Sequence, residues 1–329
     1  MIETIDNAGV TCRPQLNCIL CGQPGAMKHT ALRDLIFKVQ GEWGFRHCTN
    51  SVCALMWLDP MPLPAETHKF YDTYYTHESE EMREPASRPL SQGWRNVVKR
   101  ALAKVLFWRR HAFMTGLSHL EDMVPGTVLE VGCGNGAALR EMTRAGWQAV
   151  GIDFDSRAIS AAQKIAGVEA SVGDLLSMGF SDGQFDAIVM NNVVEHLPMP
   201  DQVFRECRRI LRPGGRLVMV TPNTSSRGYA KYGQDWRGLE VPRHLYLFSP
   251  ATLAVFAKTA GFSRIASFSS AGGGAGVEML LSSQTMRDKR LQRVTPQDKA
   301  GAMRTIKSEV ASILIGRDIG EWAVLVAHR

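Results

Sequence analysis

The second half of the chain alternates short apolar segments with helical stretches, and this alternation limits the possible folds more than any other feature. The apolar segments lie at 127–131, 147–153, 185–192 and 215–222. Strands that alternate with helices are typical of a mostly parallel sheet with helices packed on its faces. We therefore predict a mostly parallel, doubly wound α/β sheet over residues 121–260.

A glycine-rich loop follows the first predicted strand. The strand runs into Glu130-Val131-Gly132-Cys133-Gly134-Asn135-Gly136, a predicted helix follows, and the second strand ends in Asp153. Glycines at such a turn let the backbone approach a ligand closely, because no Cβ intervenes. An acidic residue about 20 positions further on can accept the ribose hydroxyls of a nucleoside. The two features together predict a nucleoside cofactor.

More than one interpretation fits this loop. The pattern Gly132-x-Gly134-x-x-Ala137 also matches a looser dinucleotide fingerprint, so a nicotinamide cofactor is one alternative. A turn that merely packs a helix on a strand is another. Glu130 favours S-adenosylmethionine, because a carboxylate there would repel a pyrophosphate and attract the ammonium and sulfonium groups of that cofactor.

Five segments in order resemble the motifs of the class I S-adenosylmethionine-dependent methyltransferases: VLEVGCGNG, GIDFD, VGDLL, FDAIVMNNVVEHL and LRPGGRLVMVTPN. The resemblance covers residues 121–329 and implies a Rossmann-like, doubly wound α/β fold with a seven-stranded sheet whose last strand, at 322–327, is antiparallel. It also implies that the glycine loop holds the methionine end, that Asp153 binds the ribose, that Asp174 meets the adenine amino group and that Asn191 lies beside the sulfonium. The cofactor residues predicted in this way are Glu130, Gly132, Cys133, Gly134, Gly136, Asp153, Phe154, Asp174, Leu175 and Asn191.

Two histidines follow predicted strands and are the candidate catalytic residues. His196 comes after the fourth strand in VVEHLP, and His244 comes after the fifth in PRHLYLF. Methyl transfer needs an aligned nucleophile and, for some acceptors, removal of its proton, a task for which histidine is suited near neutral pH. Each histidine could instead only cap a helix or anchor a loop. The segments EHLPMP and PRHLYLFSPATL, which contain these histidines, resemble a branch of the family that methylates O, N or C atoms of small molecules and sugars.

The cysteines are concentrated at the N-terminus. Five of the seven lie in the first 53 residues, and four of these form two pairs: Cys18, Cys21, Cys48 and Cys53. Four thiolates match a tetrahedral structural zinc site. The second pair is spaced widely, so His29 or His47 could replace a ligand, and an iron–sulfur cluster or four buried free thiols are alternatives. The segment resembles a zinc-ribbon lead found on some bacterial methyltransferases, including sugar C-methyltransferases and an rRNA guanine methyltransferase.

We therefore predict three parts: a zinc-ribbon-like module at 1–63, a helical linker or lid at 64–120, and the methyltransferase domain at 121–329. No apolar run approaches the roughly 20 residues of a membrane span, and the N-terminus lacks the features of a secretory signal. The expected location is the cytoplasm.

The net charge of +6 is concentrated in one segment. No acid occurs at 85–120, whereas seven basic residues lie there, which leaves 31 basic and 32 acidic residues elsewhere. Within it, residues 88–111 are interpreted as a connecting helix that exposes its charges, or as a face for an acidic partner. Among such partners an anionic acceptor is favoured over a membrane surface or RNA.

The predicted function is methyl transfer from S-adenosylmethionine to a small-molecule or glycan acceptor, in a protein with a structural zinc ion. An RNA methyltransferase and a non-catalytic S-adenosylmethionine-binding protein are the alternatives. The fourth strand continues as Asn191-Asn192-Val193-Val194 rather than an Asn-Pro-Pro-Tyr type of loop, which disfavours base methylation of that kind.

Overall fold

The N-terminal part is built of short strands. The computed structural model describes residues 4–71 and 119–329. The first strands are β1 (Ile5–Asn7), β2 (Val10–Arg13), β3 (Gly25–Leu32), β4 (Trp43–Cys48), β5 (Met56–Asp59) and β6 (Met61–Pro62), and a 3-10 turn follows at Pro64–Phe70. β1, β2 and β6 form a small antiparallel sheet, and β3, β4 and β5 form a second.

The remaining strands belong to the second half of the chain. They are β7 (Thr127–Val131), β8 (Gln148–Asp153), β9 (Val168–Val172), β10 (Phe185–Asn191), β11 (Leu211–Pro222), β12 (Tyr246–Leu247), β13 (Ser263–Ser270) and β14 (Trp322–His328). All except β12 form one seven-stranded sheet in the order β13-β14-β11-β10-β7-β8-β9. β7 to β11 are parallel, whereas β14 is antiparallel to both of its neighbours. The predicted seven-stranded Rossmann-like sheet with an antiparallel last strand is therefore confirmed.

Helices pack on this sheet. They are α1 (Ala137–Arg144), α2 (Ser156–Ala162), α3 (Pro200–Ile210), α4 (Arg227–Tyr232), α5 (Pro250–Thr259), α6 (Gly273–Arg290) and α7 (Lys299–Leu314), with 3-10 turns at Val194–His196, Gly233–Asp235 and Arg237–Leu239. Local sequence sets several helix starts. The Asp155 and Ser249 side chains accept hydrogen bonds from backbone N–H groups of α2 and α5, which are otherwise without helical partners.

The start of β11 differs from the sequence prediction by four residues, whereas the other predicted strands agree to within one residue. The turn predicted at 212–215 lies inside β11, which the structure begins at Leu211 rather than at 215. The pairing of β10 with β11 is irregular there, since Phe185 faces Leu211 but Ala187 faces Arg216. Gly214 adopts a positive φ of 79° in this irregular segment. The pairing of β11 with β10 therefore begins before Pro213 and Gly214, the residues from which the turn was predicted.

β12 joins the two halves of the protein. Tyr246 and Leu247 pair with Trp57 and Met56, so this segment becomes the outer strand of the N-terminal sheet. Residues of both halves, including the fully buried Trp57 and Phe248, belong to one continuous hydrophobic core. The segment that follows His244 is therefore held by the N-terminal strands.

Two predictions concern residues that the structure does not describe. The basic segment 88–111 and most of the predicted helical linker lie outside them. Over residues 4–71 and 119–329, no helix combines the length and the apolar character needed to cross a membrane.

Candidate active site

The carboxyl ends of β7, β8 and β10 meet at one edge of the central sheet, and the predicted cofactor residues lie there. Glu130 faces Gly151 across β8 and Val189 across β10, so Glu130, Asp153 and Asn191 come from three adjacent strands. The carboxyl edge is where open α/β sheets bind ligands, because loops and helix N-termini converge on it.

Asp153 shapes the glycine-rich loop. Its Oδ2 accepts a hydrogen bond of 2.9 Å from the Gly134 N–H, and its Oδ1 accepts one of 2.9 Å from the Asp155 N–H. A carboxylate has about four lone-pair positions, so two of them stay available to ribose hydroxyls. The side chain that the sequence assigns to the ribose therefore also fixes the loop beside it.

Glycine is required at two positions of this loop by both its backbone and its neighbours. Gly132 has a φ of 71°, and a Cβ there would lie 2.5 Å from Val193 Cγ2. Gly136 has a φ of 79°, and a Cβ there would lie 2.9 Å from Ala162 Cβ in α2. At Gly134 a Cβ would meet nothing within 4 Å, so this part of the loop borders open space.

Glu130 is the acid whose environment fits a cationic ligand. Glu130 is only 4% exposed, and its Oε2 has no hydrogen-bond partner within the part of the chain that the structure describes. Burial raises the pKa of Glu130 to about 8, repulsion by Asp153 adds to this, and a hydrogen bond from Asn191 opposes it. A buried carboxyl group with an unsatisfied oxygen fits the ammonium group of S-adenosylmethionine.

The other predicted cofactor residues have different surroundings. The Cys133 side chain is buried and packs against Gly151. Cys133 can therefore offer a ligand of the loop its backbone, but not its thiol. Asp174 is exposed and accepts hydrogen bonds from the N–H groups of Leu176 and Ser177, and Leu175 is buried. Phe154 is 55% exposed, and its ring lies 4.9 Å from that of Tyr71.

The two candidate catalytic histidines lie together. His196 is in the 3-10 turn after β10, His244 is in the loop before β12, and their ring centroids are 4.7 Å apart. One ligand atom each of His196, His244 and the buried Glu195 lie within 4.8 Å of one another. Burial lowers the pKa of His196 and lowers that of His244 to about 3, so both rings are neutral at pH 7.

Each histidine is oriented through Nδ1. His196 Nδ1 lies 3.1 Å from the backbone carbonyl oxygen of Arg243 and 3.0 Å from the Tyr71 hydroxyl. His244 Nδ1 lies 2.8 Å from the Gly238 carbonyl oxygen. His196 is half-buried whereas His244 is 4% exposed, so His196 is the more accessible of the two.

Sequence reasoning missed the contribution of the N-terminal residues to this region. Tyr71 contacts His196, Asp34 forms an ion pair with Arg243, and His29 Nε2 lies 2.9 Å from the Tyr229 hydroxyl. Tyr71 belongs to a group of aromatic residues that lie close together in the sequence, Phe70, Tyr71, Tyr74 and Tyr75. However, contacts that join residues more than a hundred positions apart leave no local pattern.

The four N-terminal cysteines form a single cluster. Their sulfur atoms all lie within 4.8 Å of one another, and the two closest pairs, Cys18–Cys53 and Cys21–Cys48, are 3.5 Å and 3.4 Å apart. A tetrahedral zinc ion with Zn–S bonds of about 2.3 Å needs sulfur atoms about 3.8 Å apart. The thiols thus fit zinc, whereas His29, an alternative ligand in the sequence analysis, contacts Tyr229 instead.

Comparison with known proteins matches the central part of the chain to a family described as "Methyltransferase domain", over residues 106–267. A ubiquinone biosynthesis O-methyltransferase of Xanthomonas oryzae pv. oryzae is 33% identical over 152 residues, which cover 42% of this chain and 63% of that protein. One of Ralstonia nicotianae is 31% identical over 146 residues, which cover 41% of this chain and 61% of that protein.

Among solved structures, a phosphoethanolamine N-methyltransferase 2 of Haemonchus contortus is similar with a TM-score of 0.47 and 20% identity. The similarity covers 89% of this chain and 70% of that one. The chain spans less than two thirds of the length of the curated relatives above. The strand order confirms the predicted Rossmann-like fold, and the family match agrees with a methyltransferase domain within residues 106–267.

The first prediction concerns Asp153. Asp153→Ala removes the predicted ribose acceptor and the anchor of the Gly134 N–H. A charge-assisted hydrogen bond contributes roughly 1.5–3 kcal/mol, so affinity for S-adenosylmethionine should fall about ten- to a hundredfold. Isothermal calorimetry measures this, with Asp182→Ala, an exposed acid paired with Arg209, as the control. Equal affinity in wild type and Asp153→Ala, or a wild-type preference for a nicotinamide dinucleotide, contradicts the assignment.

The second prediction concerns pH. The pKa of Glu130 is raised to about 8 in the free protein, and a bound ammonium group would lower it. Binding then releases a proton, so affinity for S-adenosylmethionine should rise between about pH 6 and pH 7.5, by at most about tenfold per pH unit. Calorimetry across this range should show the rise in wild type and a flat response in Glu130→Gln. A rise of the same slope in both proteins would assign the effect to another group.

The third prediction concerns the thiol cluster. Protein purified without added metal should contain about one zinc ion per chain, because four clustered thiolates bind zinc tightly. Elemental analysis should find the metal lost in Cys21→Ser and retained in Cys12→Ser. Cys12 is the matched control, since it is a buried thiol of the same region outside the cluster. Well-folded wild type with less than about a tenth of an equivalent contradicts the prediction.

Proposed function

We propose that this protein transfers the methyl group of S-adenosylmethionine to a small-molecule or glycan acceptor. The observation that carries the proposal is the common edge of the sheet, where Glu130 and Asp153 lie on β7 and β8 and the turn that carries His196 follows the neighbouring β10. The family match supports the cofactor, and the names of the relatives support a small-molecule acceptor. A bound S-adenosylmethionine would supply a methyl group already activated by its positive sulfur.

Residues of the chain would hold this cofactor in a defined direction. Glu130 would pair with the ammonium group, and Asp153 would accept the ribose hydroxyls. The glycine loop would pass close to the methionine end, and Asn191 would border the sulfonium. Asp174 and Leu175 are proposed for the adenine end, with the exposed Phe154 ring beside it.

We infer that the attacking atom of the acceptor carries a proton that the protein removes. The neutral imidazole rings of His196 and His244 have centroids 4.7 Å apart. A neutral imidazole can accept a proton, whereas a charged one cannot. His196 is the better candidate for the base, because it is the more accessible ring. His244, buried and bonded to Gly238, would support it. A hydroxyl or an acidic C–H group fits this arrangement better than a neutral amine, which attacks without a base.

The charges around the histidines bear on the class of acceptor. Arg237 and Arg243 are paired with Glu240 and Asp34, so this cluster of four charges is neutral overall. Binding of an anionic acceptor would therefore depend on the basic segment 88–111, outside the described residues. The burial of His244 favours a small acceptor over an RNA. Methylation of RNA is an alternative outcome of the labelling experiment below.

The zinc module, the three-part domain division and the cytoplasmic location form part of this proposal. Zinc would be structural, because all four candidate ligands are protein thiols and leave no open position for chemistry. The zinc cluster would fix the N-terminal strands that pair with β12 and contribute Tyr71 and Asp34 to the acceptor region.

The fourth prediction tests the activity and its base together. Wild-type protein is incubated with isotopically labelled S-adenosylmethionine and a cell extract separated into small-molecule, glycan and RNA fractions. Label should enter the small-molecule or glycan fraction. With that acceptor, His196→Gln should lose about 10²- to 10⁴-fold in turnover at unchanged cofactor affinity. His328→Gln, at the opposite end of the sheet beside Arg216, should keep wild-type turnover.

Three results would change the assignment. Label in the RNA fraction would identify the alternative acceptor. Cofactor binding without any labelled product would favour a non-catalytic binding protein. Full turnover of both His196→Gln and His244→Gln would mean that alignment alone suffices and that these histidines are structural.

A further inference from the structure

A buried ion cluster lies next to the candidate base. The side chains of Arg243 and Asp34 are 0% and 2% exposed, and Arg243 Nη1 donates a hydrogen bond of 3.0 Å to Asp34 Oδ2. Arg243 Nε donates a second, of 3.1 Å, to Glu240 Oε1. The guanidinium group also lies 4.0 Å from the centroid of the Phe37 ring. The arginine is thus held by two carboxylates and one aromatic ring.

Asp34 is itself fixed by its own loop. Its Oδ1 accepts hydrogen bonds from the N–H groups of Ile36 and Phe37, at 2.9 Å and 3.0 Å, and its Oδ2 accepts one from Val39 at 3.2 Å. A carboxylate with three backbone donors and an arginine has a defined position rather than a choice of rotamers. The N-terminal loop therefore presents a fixed anion to Arg243.

The backbone of Arg243 makes the contact that matters for the base. Its carbonyl oxygen lies 3.1 Å from His196 Nδ1, and a carbonyl oxygen can only accept a hydrogen bond. The contact therefore places the hydrogen of the neutral imidazole on Nδ1 and leaves the lone pair on Nε2. Only this tautomer lets Nε2 accept a proton, and the partner of the other ring nitrogen decides the tautomer.

The Tyr71 hydroxyl could favour the opposite tautomer. It lies 3.0 Å from the same Nδ1 and could donate its hydrogen to that nitrogen, which would then leave the imidazole hydrogen on Nε2. In that arrangement the lone pair of Nδ1 would face the Arg243 carbonyl oxygen, which is unfavourable. The position of that carbonyl therefore decides between the two tautomers.

We propose that Asp34 and Arg243 are positioning residues, which hold the Arg243 carbonyl so that His196 keeps its hydrogen on Nδ1 and its basic nitrogen on Nε2. This inference rests on the proposed function, in which His196 is the base. It makes the N-terminal loop a part of the active site through a chain of contacts from Asp34 to Arg243 to His196. Neither positioning residue needs to touch the acceptor or the cofactor.

The ring nitrogens of His196 provide a readout that does not require activity. Protein labelled with ¹⁵N in its histidines is studied by nuclear magnetic resonance at pH 7, and the His196 signals are identified as those lost in His196→Gln. In wild type the unprotonated, pyridine-type nitrogen should be Nε2. Asp34→Asn and Arg243→Lys should each convert a measurable fraction to the opposite tautomer. Tyr71→Phe should leave the wild-type tautomer in place.

The control is a second ion pair of the N-terminal region. Asp59 pairs with Arg46 at 2.7 Å, is mostly buried, and makes none of the contacts described for His196. Asp59→Asn should leave the tautomer of His196 unchanged. If Asp34→Asn does not fold, Arg243→Lys, which keeps the positive charge, supplies the same comparison. The wild-type spectrum tests the inference without any variant.

Turnover supplies the second readout. With the acceptor identified by labelling, Asp34→Asn should lower kcat at least about tenfold and leave affinity for S-adenosylmethionine within about twofold. A wild-type His196 that carries its hydrogen on Nε2 overturns the inference. So does a tautomer that neither positioning variant alters. The absence of any methyl transfer by wild type would instead refute the proposed function and leave the tautomer measurement unaffected.

Discussion

The parallel backbone pairing of β7, β8 and β10 is the constraint on which the site depends. This pairing satisfies the N–H and C=O groups of three strands that are buried on both faces, and it fixes their register. The register brings Glu130, Asp153 and Asn191 to one edge, although they lie far apart in the sequence. The loop conformation then follows from Asp153, which accepts the Gly134 N–H.

The pairing of β12 with β5 has a comparable role for the acceptor region. An N-terminal segment of about 60 residues is small for a hydrophobic core of its own. Here its strands share one core with the second half of the chain, and Tyr246 lies opposite Trp57. The same pairing positions the loop that carries His244. Cys48 of the thiol cluster ends β4, next to Arg46 and His47, which pair with the same residues of β5. A metal bound by the cluster would therefore hold these strands in place beside the proposed acceptor site.

Charge compensation explains why two histidines can be buried beside acids and remain neutral. Burial raises the pKa of a carboxyl group, yet attraction by the guanidinium groups of Arg237 and Arg243 outweighs burial and lowers the pKa of Glu240 to about 2. The negative charge of Glu240 raises the pKa of the neighbouring rings, and the positive charge of Arg237 opposes this effect. Burial is the largest influence on His244 and keeps it uncharged. A neutral pair of imidazoles is the result.

The sequence by itself determined the central strands, the glycine loop, the acid at Asp153 and the grouping of four cysteines, because each has a local pattern of apolar residues, glycines or spacing. It did not single out β9 or β13, since these edge strands mix polar residues with apolar ones. Only the tertiary structure decided that the N-terminal part of the chain supplies Asp34 to Arg243 and Tyr71 to His196. Such contacts depend on how the two halves pack, and packing between distant segments leaves no periodic trace in the sequence.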